Sequence, residues 1–392
     1  MDQPVSRAAR APASLRDLAL LFFRLGTTAF GGPAAHIAMM EDEVVRRRRW
    51  LTRERFLDLL GATNLIPGPN STEMAIHIGH QQAGWSGLLV AGSAFIVPAA
   101  AITLVLAWAY HRFGSLPQAE ALLYGVKPVI IAVVMQALWG LARAAVKTRT
   151  LALVGLSALF ANALGVNEVA TLLGAGVVAA AVQRSPRPRM TPGTVGAWMG
   201  AAAPFAEATS HAAVAVPFSF TALFLFFFKV GAILFGSGYV LLAFLRADLV
   251  DHWHWLTEAQ LLDAIAVGQI TPGPVFSAAT FIGYVLGGVQ GALVATVGIF
   301  LPSFFFVAVS GPLVPRLRQS PAAGAVLDGV NVGALALMVV VTWSLARVAI
   351  VDATTVVLAA ASALLLLRYR VNSAWLVVAG ACIGLVAGRA LR

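Results

Sequence analysis

Long apolar segments constrain the fold of this chain more than any other feature of its sequence. A helix needs about 20 mostly apolar residues to cross a bilayer. We predict spans at about 17–40, 85–110, 121–142, 150–166, 168–183, 218–245, 289–313, 325–346, 352–367 and 372–389. Only 11% of the 392 residues are charged, against about a quarter in soluble proteins. The pattern indicates an all-α polytopic membrane protein in a lipid bilayer, and it excludes soluble enzymes, disordered scaffolds and disulfide-rich secreted proteins.

The net charge of +10 and the single cysteine, Cys382, exclude further kinds of site and partner. One cysteine permits neither an intrachain disulfide nor a cysteine metal cluster. An excess of Lys and Arg is typical of the cytoplasmic loops of membrane proteins. We therefore attribute the positive charge to membrane orientation and expect no nucleic-acid partner.

The chain contains an internal repeat. A shift of 205 residues places Phe30-Gly31 on Phe235-Gly236 and Trp50-Leu51-Thr52 on Trp255-Leu256-Thr257; after one deletion, a shift of 204 places Pro98 on Pro302. Spaced matches of Trp, Pro and Gly over more than a hundred residues do not arise by chance. We divide the chain into an N-terminal tail (1–16), an N-terminal repeat (17–183), a Pro- and Arg-rich linker (184–217) and a C-terminal repeat (218–392).

Each repeat carries one semi-polar segment that is interrupted by Pro-Gly-Pro. The interruptions are Pro67-Gly68-Pro69 in 56–82 and Pro272-Gly273-Pro274 in 259–288. This tripeptide removes two amide donors and prevents ordinary helix geometry. Such a break is tolerated at membrane depth only where the backbone is buried in protein or lines a wet cavity. We predict a discontinuous helix pair in each half; a simple kink or a surface loop is the alternative.

Loop charges predict that the two halves have opposite orientations. The loop 41–55 carries six arginines, whereas its counterpart 246–258 carries only Arg246 among acidic residues, and the next loop pair reverses this bias. The positive-inside rule then indicates an inverted-topology repeat. Cytoplasmic loops are expected at 41–55, 143–150, 184–190, 316–318 and 368–370. The basic N-terminus would lie outside unless the first segment bends back at Gly31-Gly32-Pro33, so its side stays open.

An inverted repeat with paired broken helices is typical of a transporter whose substrate binds where the repeats meet. Helix N-termini there present backbone N–H groups that suit an anion. The candidate binding residues at the breaks are Asn64, Pro67, Gly68, Asn70, Ser71, Thr72, Gln269, Thr271 and Gly273. Helix capping is an equally good reading of Asn70, Ser71 and Thr72.

Two equivalent basic residues, Arg24 and Lys229, lie inside the first apolar segment of each half. Cations within a membrane usually serve a function, although these two could also reach the interface. The following glycines, Gly31, Gly32 and Gly236, with Ser237, allow close approach of backbone to ligand or close helix packing. We expect the two cations to neutralise a dianion between the repeats.

Glu73 follows the first break and has no acidic counterpart in the second half. An isolated carboxylate in a membrane often carries a proton or pairs with a cation, so Glu73 is a candidate coupling residue or a partner of Arg24. His77 and His80 share its helical face, but surface positions explain them better than a metal site does. Lys127 opposes Asn331 in the repeat and is interpreted as an anchor.

These motifs in this order resemble the bidomain chromate ion transporter (CHR) family over about 17–390. The motifs are Phe-Gly-Gly-Pro at 30–33, Trp-Leu-Thr at 50–52 and Pro-Gly-Pro at 67–69, with degenerate copies at 235–238, 255–257 and 272–274. The resemblance implies antiparallel homologous halves and a bacterial inner-membrane carrier that expels chromate and confers resistance, with sulfate as a close analogue. Two residues depart from the family pattern: Asn64 replaces a usual glutamine, and Glu73 stands where a neutral amide is common.

The combined reading is a secondary carrier for a tetrahedral dianion, with chromate as the expected substrate. No Gly-x4-Gly-Lys-Ser/Thr motif occurs, so membrane potential, protons or anion exchange must drive it. We expect no cofactor and no enzymatic activity. A sulfate or other oxyanion carrier and an anion channel are alternatives, and a membrane-embedded enzyme is a remote one. A homodimer is an open alternative to a monomer.

Overall fold

The structure is a computed structural model that describes residues 13–30, 32–114, 116–184, 216–234, 240–318, 320–369 and 371–390. These residues are largely helical and contain no strand. Gly31, Gly236, Ser237 and most of the predicted linker lie outside them. The α-helices, numbered in chain order, are α1 (Leu15–Thr28), α2 (Gly32–Glu41), α3 (Arg53–Thr63), α4 (Asn70–Phe113), α5 (Pro117–Ala145), α6 (Arg149–Ala163), α7 (Glu168–Arg184), α8 (Phe220–Ile233), α9 (Leu241–Phe244), α10 (Glu258–Ile270), α11 (Ala278–Arg318), α12 (Pro321–Ala349), α13 (Ala353–Tyr369) and α14 (Ser373–Ala390).

The two halves share their backbone irregularities at the repeat offset. A π-helical turn follows α2 at Asp42–Arg47 and another follows α9 at Leu245–His252. Arg49 and His254, which are equivalent, both have φ 53°, a value uncommon for residues other than glycine. Matching exceptions to regular geometry are stronger support for a repeat than matching helices, since helices are the default in a membrane.

The prediction that 17–40 and 218–245 are single spans is wrong. In the first half α1 ends at Thr28 and the chain folds back, so that a carboxylate oxygen of Glu43 lies 2.6 Å from the guanidinium group of Arg24. The side chain of Gln82 accepts from the N–H of Ala13 (3.4 Å) and donates to the carbonyl of Trp50 (3.2 Å). The start of α1 and the basic loop therefore lie at one level. This re-entrant hairpin places Arg16, in the first turn of α1, on the same side as loop 41–55.

The first segment of the second half folds back in the same way. Lys229 on α8 is paired with Asp248 in the following π-helical turn. The indole N–H of Trp255 donates to the carbonyl of Val216 at 2.8 Å, which brings the residue before α8 to the end of the hairpin. An apolar run of more than 20 residues satisfies the length rule for a span, but the described parts of each run lie side by side as the two arms of a hairpin.

The predicted discontinuous helices are present in both halves. The chain breaks between α3 and α4 at the first Pro-Gly-Pro and between α10 and α11 at the second. The helix after each break reverses a second time, at Ala83-Gly84 and at Gly287-Gly288, where the second glycine has φ 59° and 61° respectively. We call the two arms of α4 α4a (70–82) and α4b (85–113), and those of α11 α11a (278–286) and α11b (289–318).

Four described helices are long and apolar enough to cross a membrane: α4, α5, α11 up to Ser310, and α12. The halves exchange packing partners, because α5 packs on α13 and α14 of the second half and α12 packs on α6 and α7 of the first. At the α5–α14 contact Gly125 lies directly against Gly380 and Gly384. Small residues allow helix backbones to approach closely where both sides of an interface lie in lipid.

Equivalent helices α4b and α11b run antiparallel. Gly92, early in α4b, faces the ring of Phe304, and His111 at the end of α4b stacks edge-on against Tyr284, just before α11b begins, at 6.2 Å between ring centroids. Equivalent elements that meet head to tail are related by a two-fold axis perpendicular to them. For spanning helices that axis lies in the membrane plane, as the inverted repeat predicted from loop charges requires.

Candidate functional site

The two Pro-Gly-Pro loops bind the opposite half of the chain. The N–H of Gly68 donates to the carbonyl of Leu234 at 2.7 Å, and the N–H of Gly273 donates to the carbonyl of Ala29 at 2.9 Å. Each acceptor is the C-cap residue of the other half's first helix, Leu234 of α8 and Ala29 of α1. The break of each half is thus held by the hairpin of its partner half, and both breaks lie where the repeats meet.

Glycine is required at the centre of each loop for two reasons. Gly68 has φ 135° and Gly273 has φ 88°, a backbone region that other residues enter at a cost. A Cβ at Gly68 would also collide with the Glu73 carboxylate and lie 2.8 Å from Ser303 Oγ. These contacts put Glu73 of α4a and Ser303 of α11b beside the same loop.

Several polar side chains around the breaks are buried without a hydrogen-bond partner among the described residues. They are the hydroxyls of Thr72, Ser277 and Ser303 and both carboxylate oxygens of Glu73. Each of these four residues is at most 1% exposed. Unsatisfied buried polar groups are rare and require an explanation such as a ligand or ordered water. Thr72 and Ser277 are equivalent in the repeat, so each break contributes one such hydroxyl.

The remaining predicted residues at the breaks occupy different environments. Asn64 caps the end of α3 and is exposed, and its side-chain oxygen accepts from the amide of Asn70 at 2.8 Å. Thr271 is buried; its hydroxyl donates to the carbonyl of Val267 at 2.7 Å and lies 3.5 Å from the Thr103 hydroxyl of the first half. Pro67 and Ser71 are buried, Gln269 is half-buried in the last turn of α10, and Gly32 has φ 76° at the start of α2.

The two predicted cations form equivalent ion pairs within their own halves. Arg24 contacts Glu43 at 2.6 Å, and Lys229 contacts Asp248. The partner of Arg24 is therefore Glu43, which corrects the alternative that assigned Glu73 to this role. Burial opposes ionisation of Glu43, but hydrogen bonds and charge from Arg24 and its neighbours Arg47 and Arg48 lower the pKa of Glu43 below its usual value of 4.5. Glu43 and Asp248 stand at the 205-residue offset, so the repeat itself could have revealed these pairs.

The histidines after the first break contribute no metal site. His77 is buried, while the ring of His80 packs edge-on against Trp85 with ring centroids 5.6 Å apart. In the parts of the chain that the structure describes, no group of three His, Cys, Asp or Glu residues could hold a metal ion.

A second polar cluster joins the halves away from the breaks, and sequence reasoning missed it. Asp263 of α10 is 3.1 Å from the ammonium group of Lys127 on α5, and the hydroxyl of Tyr110 on α4b donates to it at 2.9 Å. The match of Asp58 with Asp263 was visible in the repeat. Nothing in the sequence showed that Lys127 on α5 of one half would contact Asp263 on α10 of the other.

Comparisons with known proteins agree with this architecture. A family profile described as Chromate transporter matches residues 16–180 and 221–385, one copy in each half. The chain belongs to the chromate transporter family. The chromate transport protein of Cupriavidus metallidurans is 34% identical over 376 residues, covering 95% of this chain and 93% of its own. That of Pseudomonas aeruginosa is 32% identical over 349 residues, covering 88% and 84%.

A probable chromate transport protein of Synechococcus elongatus is 30% identical over 340 residues and covers 84% of each chain. No solved structure matches this chain. As a member of the chromate transporter family, the chain is a multi-pass membrane protein that resembles transport proteins along nearly its whole length.

Proposed function

We propose that this protein is a secondary carrier that exports chromate across the inner membrane of a bacterium and so confers resistance to it. The observation that carries the proposal is a set of three buried hydroxyls beside the two Pro-Gly-Pro loops, those of Thr72, Ser277 and Ser303, which have no hydrogen-bond partner among the described residues. Hydroxyl donors at helix N-termini suit a tetrahedral oxyanion. The similar proteins supply the substrate class, since two are chromate transport proteins and the third is a probable one.

In this proposal the anion lies between the two Pro-Gly-Pro loops. Backbone N–H groups and the side chains at the breaks donate to its oxygens; the side chains are Asn64, Asn70, Ser71, Thr72, Gln269, Thr271, Ser277 and Ser303. The Thr271 hydroxyl exchanges its hydrogen bond to the carbonyl of Val267 for one to the anion. The glycines of both breaks, with Gly31, Gly32 and Gly236 and with Ser237, let the backbone approach the anion. Moving a dianion outward is downhill by about 4.6 kcal/mol per 100 mV with the inside negative. The membrane potential could therefore drive export without a nucleotide or a cofactor.

Arg24 and Lys229 serve as the neutralising cations in this proposal, and their ion pairs define the test. If they act on the anion, Arg24→Ala and Lys229→Ala each abolish transport, while Glu43→Gln and Asp248→Asn free a cation and raise apparent chromate affinity. A structural ion pair predicts equal losses from removal of either partner. Protein levels in the membrane are compared first, so that a folding defect is recognised.

Glu73 is the proposed coupling residue. An ionised carboxylate beside Gly68 would repel a dianion, whereas a protonated one donates a hydrogen bond to it, so the anion and a proton bind together. A proton that leaves with the anion reduces the exported charge to −1 and the electrical drive to about 2.3 kcal/mol per 100 mV. His77 is the only other titratable side chain within the next helical turn of α4a. We expect Glu73→Gln to retain chromate binding and to flatten the pH dependence of transport, with His77→Gln as the control that keeps it. An unchanged pH profile in Glu73→Gln contradicts the assignment.

The decisive experiment is chromate uptake into everted membrane vesicles, with and without sulfate and with the membrane potential collapsed. Saturable uptake that sulfate inhibits and that falls with the potential supports a potential-driven oxyanion carrier. Uptake of sulfate in preference to chromate reassigns the substrate, and a flux that does not saturate indicates a channel. Absence of uptake of either anion in vesicles that contain the folded protein refutes the proposal.

A further inference from the structure

The two halves of the repeat differ in how the helix that precedes the Pro-Gly-Pro break is packed, α3 in one half and α10 in the other. On α10 every residue from 261 to 268 is buried, but α3 exposes one face at the equivalent positions. Leu57 is 48% exposed and its equivalent Leu262 is fully buried; Asp58 is exposed and its equivalent Asp263 is 3% exposed. α10 packs on α11, as α3 packs on α4; α10 also packs on α5, α12 and α14, whereas α3 otherwise contacts α11. The α10 side of the repeat interface is enclosed, whereas no other described residue covers one face of α3; we call these the closed side and the open side.

The closed side is held by the cluster of Lys127, Asp263 and Tyr110, which we call the gate cluster. It joins three elements, α5, α10 and α4b, and two of them belong to the opposite half from α10. The side chain of Asp263 is only 4% exposed and that of Lys127 is 19% exposed, and removal of one partner of such a buried pair leaves an uncompensated charge. The residue equivalent to Lys127 is Asn331, so the same ion pair cannot form on the open side.

A cavity of about 360 Å³ leads from the gate cluster toward the end of the spanning helices. Besides the cluster it is lined by Glu120 and Tyr124 and by residues at the two loops where α4b meets α5 and α12 meets α13. Across its mouth the hydroxyl of Tyr124 donates to Asp352 at 2.6 Å. These loops are opposite to the basic loops 41–55 and 143–150, so the charge rule places the cavity on the external side.

We infer that Lys127, Asp263 and Tyr110 form the external gate of the transport pathway, and that the structure is a state in which this gate is closed and the cytoplasmic side around α3 is open. α10 continues directly into Gln269, Thr271 and the second Pro-Gly-Pro. Separation of Asp263 from Lys127 frees α10 to adopt the position that α3 has now. Because the two halves are related by a pseudo-two-fold axis, α3 then takes the packed position that α10 has now. The site becomes accessible from the external side instead of the cytoplasmic side. The gate residues position the break and need not touch the anion.

Cysteine labelling tests the gate without any substrate. In a Cys382→Ala background, single cysteines are placed at the equivalent positions Leu57 and Leu262. They are treated with a membrane-impermeant maleimide from either face, using intact cells and everted vesicles. We expect the cysteine at 57 to react from the cytoplasmic face and the cysteine at 262 to react from neither. Addition of Asp263→Asn should raise external labelling at 262 at least about tenfold, because removal of one partner unlocks a buried pair.

The matched control is Asp328→Asn, which breaks another ion pair between the halves, Lys147 to Asp328 at 2.7 Å, outside the gate cluster. It should leave labelling at 262 unchanged, and the exchange Lys127→Asp with Asp263→Lys should restore protection. If Asp263→Asn does not fold, Tyr110→Phe removes one hydrogen bond of the cluster and should raise labelling to a smaller extent.

Three outcomes overturn the gate. They are protection at 262 that survives both Asp263→Asn and Tyr110→Phe, equal exposure by Asp328→Asn, and a cysteine at 57 that is inert from both faces. The inference rests on the proposed transport function, but its readout does not. If cysteine labelling behaves as expected but neither chromate nor sulfate is transported, only the proposed substrates are refuted. If transport is normal but Asp263→Asn leaves labelling at position 262 unchanged, only the gate is refuted.

Discussion

Single residues decide whether the two breaks can approach each other. Gly68 and Gly273 combine a positive φ with backbone or side-chain atoms of the opposite half at the site where a Cβ would lie. The sequence marked both as special because they stand between prolines. It could not show that the neighbour of Gly68 is Ser303, 235 positions away in the chain.

Alanine at either of these glycines should reduce stability and transport. We expect Gly68→Ala and Gly273→Ala each to destabilise the protein by about 1–3 kcal/mol, because the new methyl group requires a strained backbone and displaces a close neighbour. Thermal unfolding in detergent measures the loss. Gly140→Ala and Gly174→Ala are the controls, since nothing lies within 4 Å of a Cβ at either position; equal melting temperatures in all four variants would contradict the argument.

The Arg24–Glu43 pair should make stability depend on acidity. Because the folded-state pKa of Glu43 is lowered, its contribution is present above the ordinary value of 4.5 and is lost as the pH falls through the lowered pKa. A charge-assisted hydrogen bond of this kind contributes about 1–2 kcal/mol. The melting temperature of Glu43→Gln should therefore lie below that of the parent at pH 7, and the two should converge in acid. If the difference in melting temperature between the two proteins stays constant down to pH 3, the ion pair is not the source of the stability.

At the scale of elements, the re-entrant hairpins distinguish this fold from a simple bundle of spans. Segment 17–40 is long and apolar enough to cross the bilayer, so hydropathy alone predicts one helix there. Contacts with the rest of the half, including those of Gln82 with both ends of the hairpin, make the folded-back form the stable one. The charge conflict at the N-terminus was the sequence signal for this arrangement.

The arms of the broken helices pack backbone to backbone, which predicts their sensitivity to side-chain size. A Cβ at Gly79 of α4a would meet the carbonyl of Gly87 and lie 2.6 Å from Ala91 Cβ on α4b. Gly79→Leu should therefore separate the arms and lower the melting temperature by several degrees, since overpacking costs about 1–3 kcal/mol. Gly174→Leu, on an open helix face, should leave it unchanged. Tolerance of Gly79→Leu would show that the arms do not pack as described.

At the scale of the molecule, the exchange of packing partners makes each half incomplete alone. α5 needs α13 and α14, and α12 needs α6 and α7. Residues 1–200 and 201–392 expressed as separate chains should therefore accumulate poorly alone and co-purify when expressed together. Gly125→Leu in the first chain should abolish co-purification, because its side chain would meet the backbone of Gly380 and Gly384. If each half is stable when expressed alone, the halves do not depend on each other for packing and the argument is refuted.

The sequence by itself determined the membrane class, the repeat, its inversion and the position of both breaks. These properties follow from local hydropathy, from residue identity at a constant offset and from loop charge, all of which are readable along one chain. Only the tertiary structure decided that Arg24 pairs with Glu43, that Ser303 reaches the first break and that Lys127 meets Asp263. Each of these contacts joins elements whose distance and direction depend on how hairpins fold back and how halves interlock. The asymmetry between α3 and α10 was likewise visible only in the tertiary structure, because the difference between Lys127 and Asn331 in the repeat gains its meaning from the contact of Lys127 with Asp263.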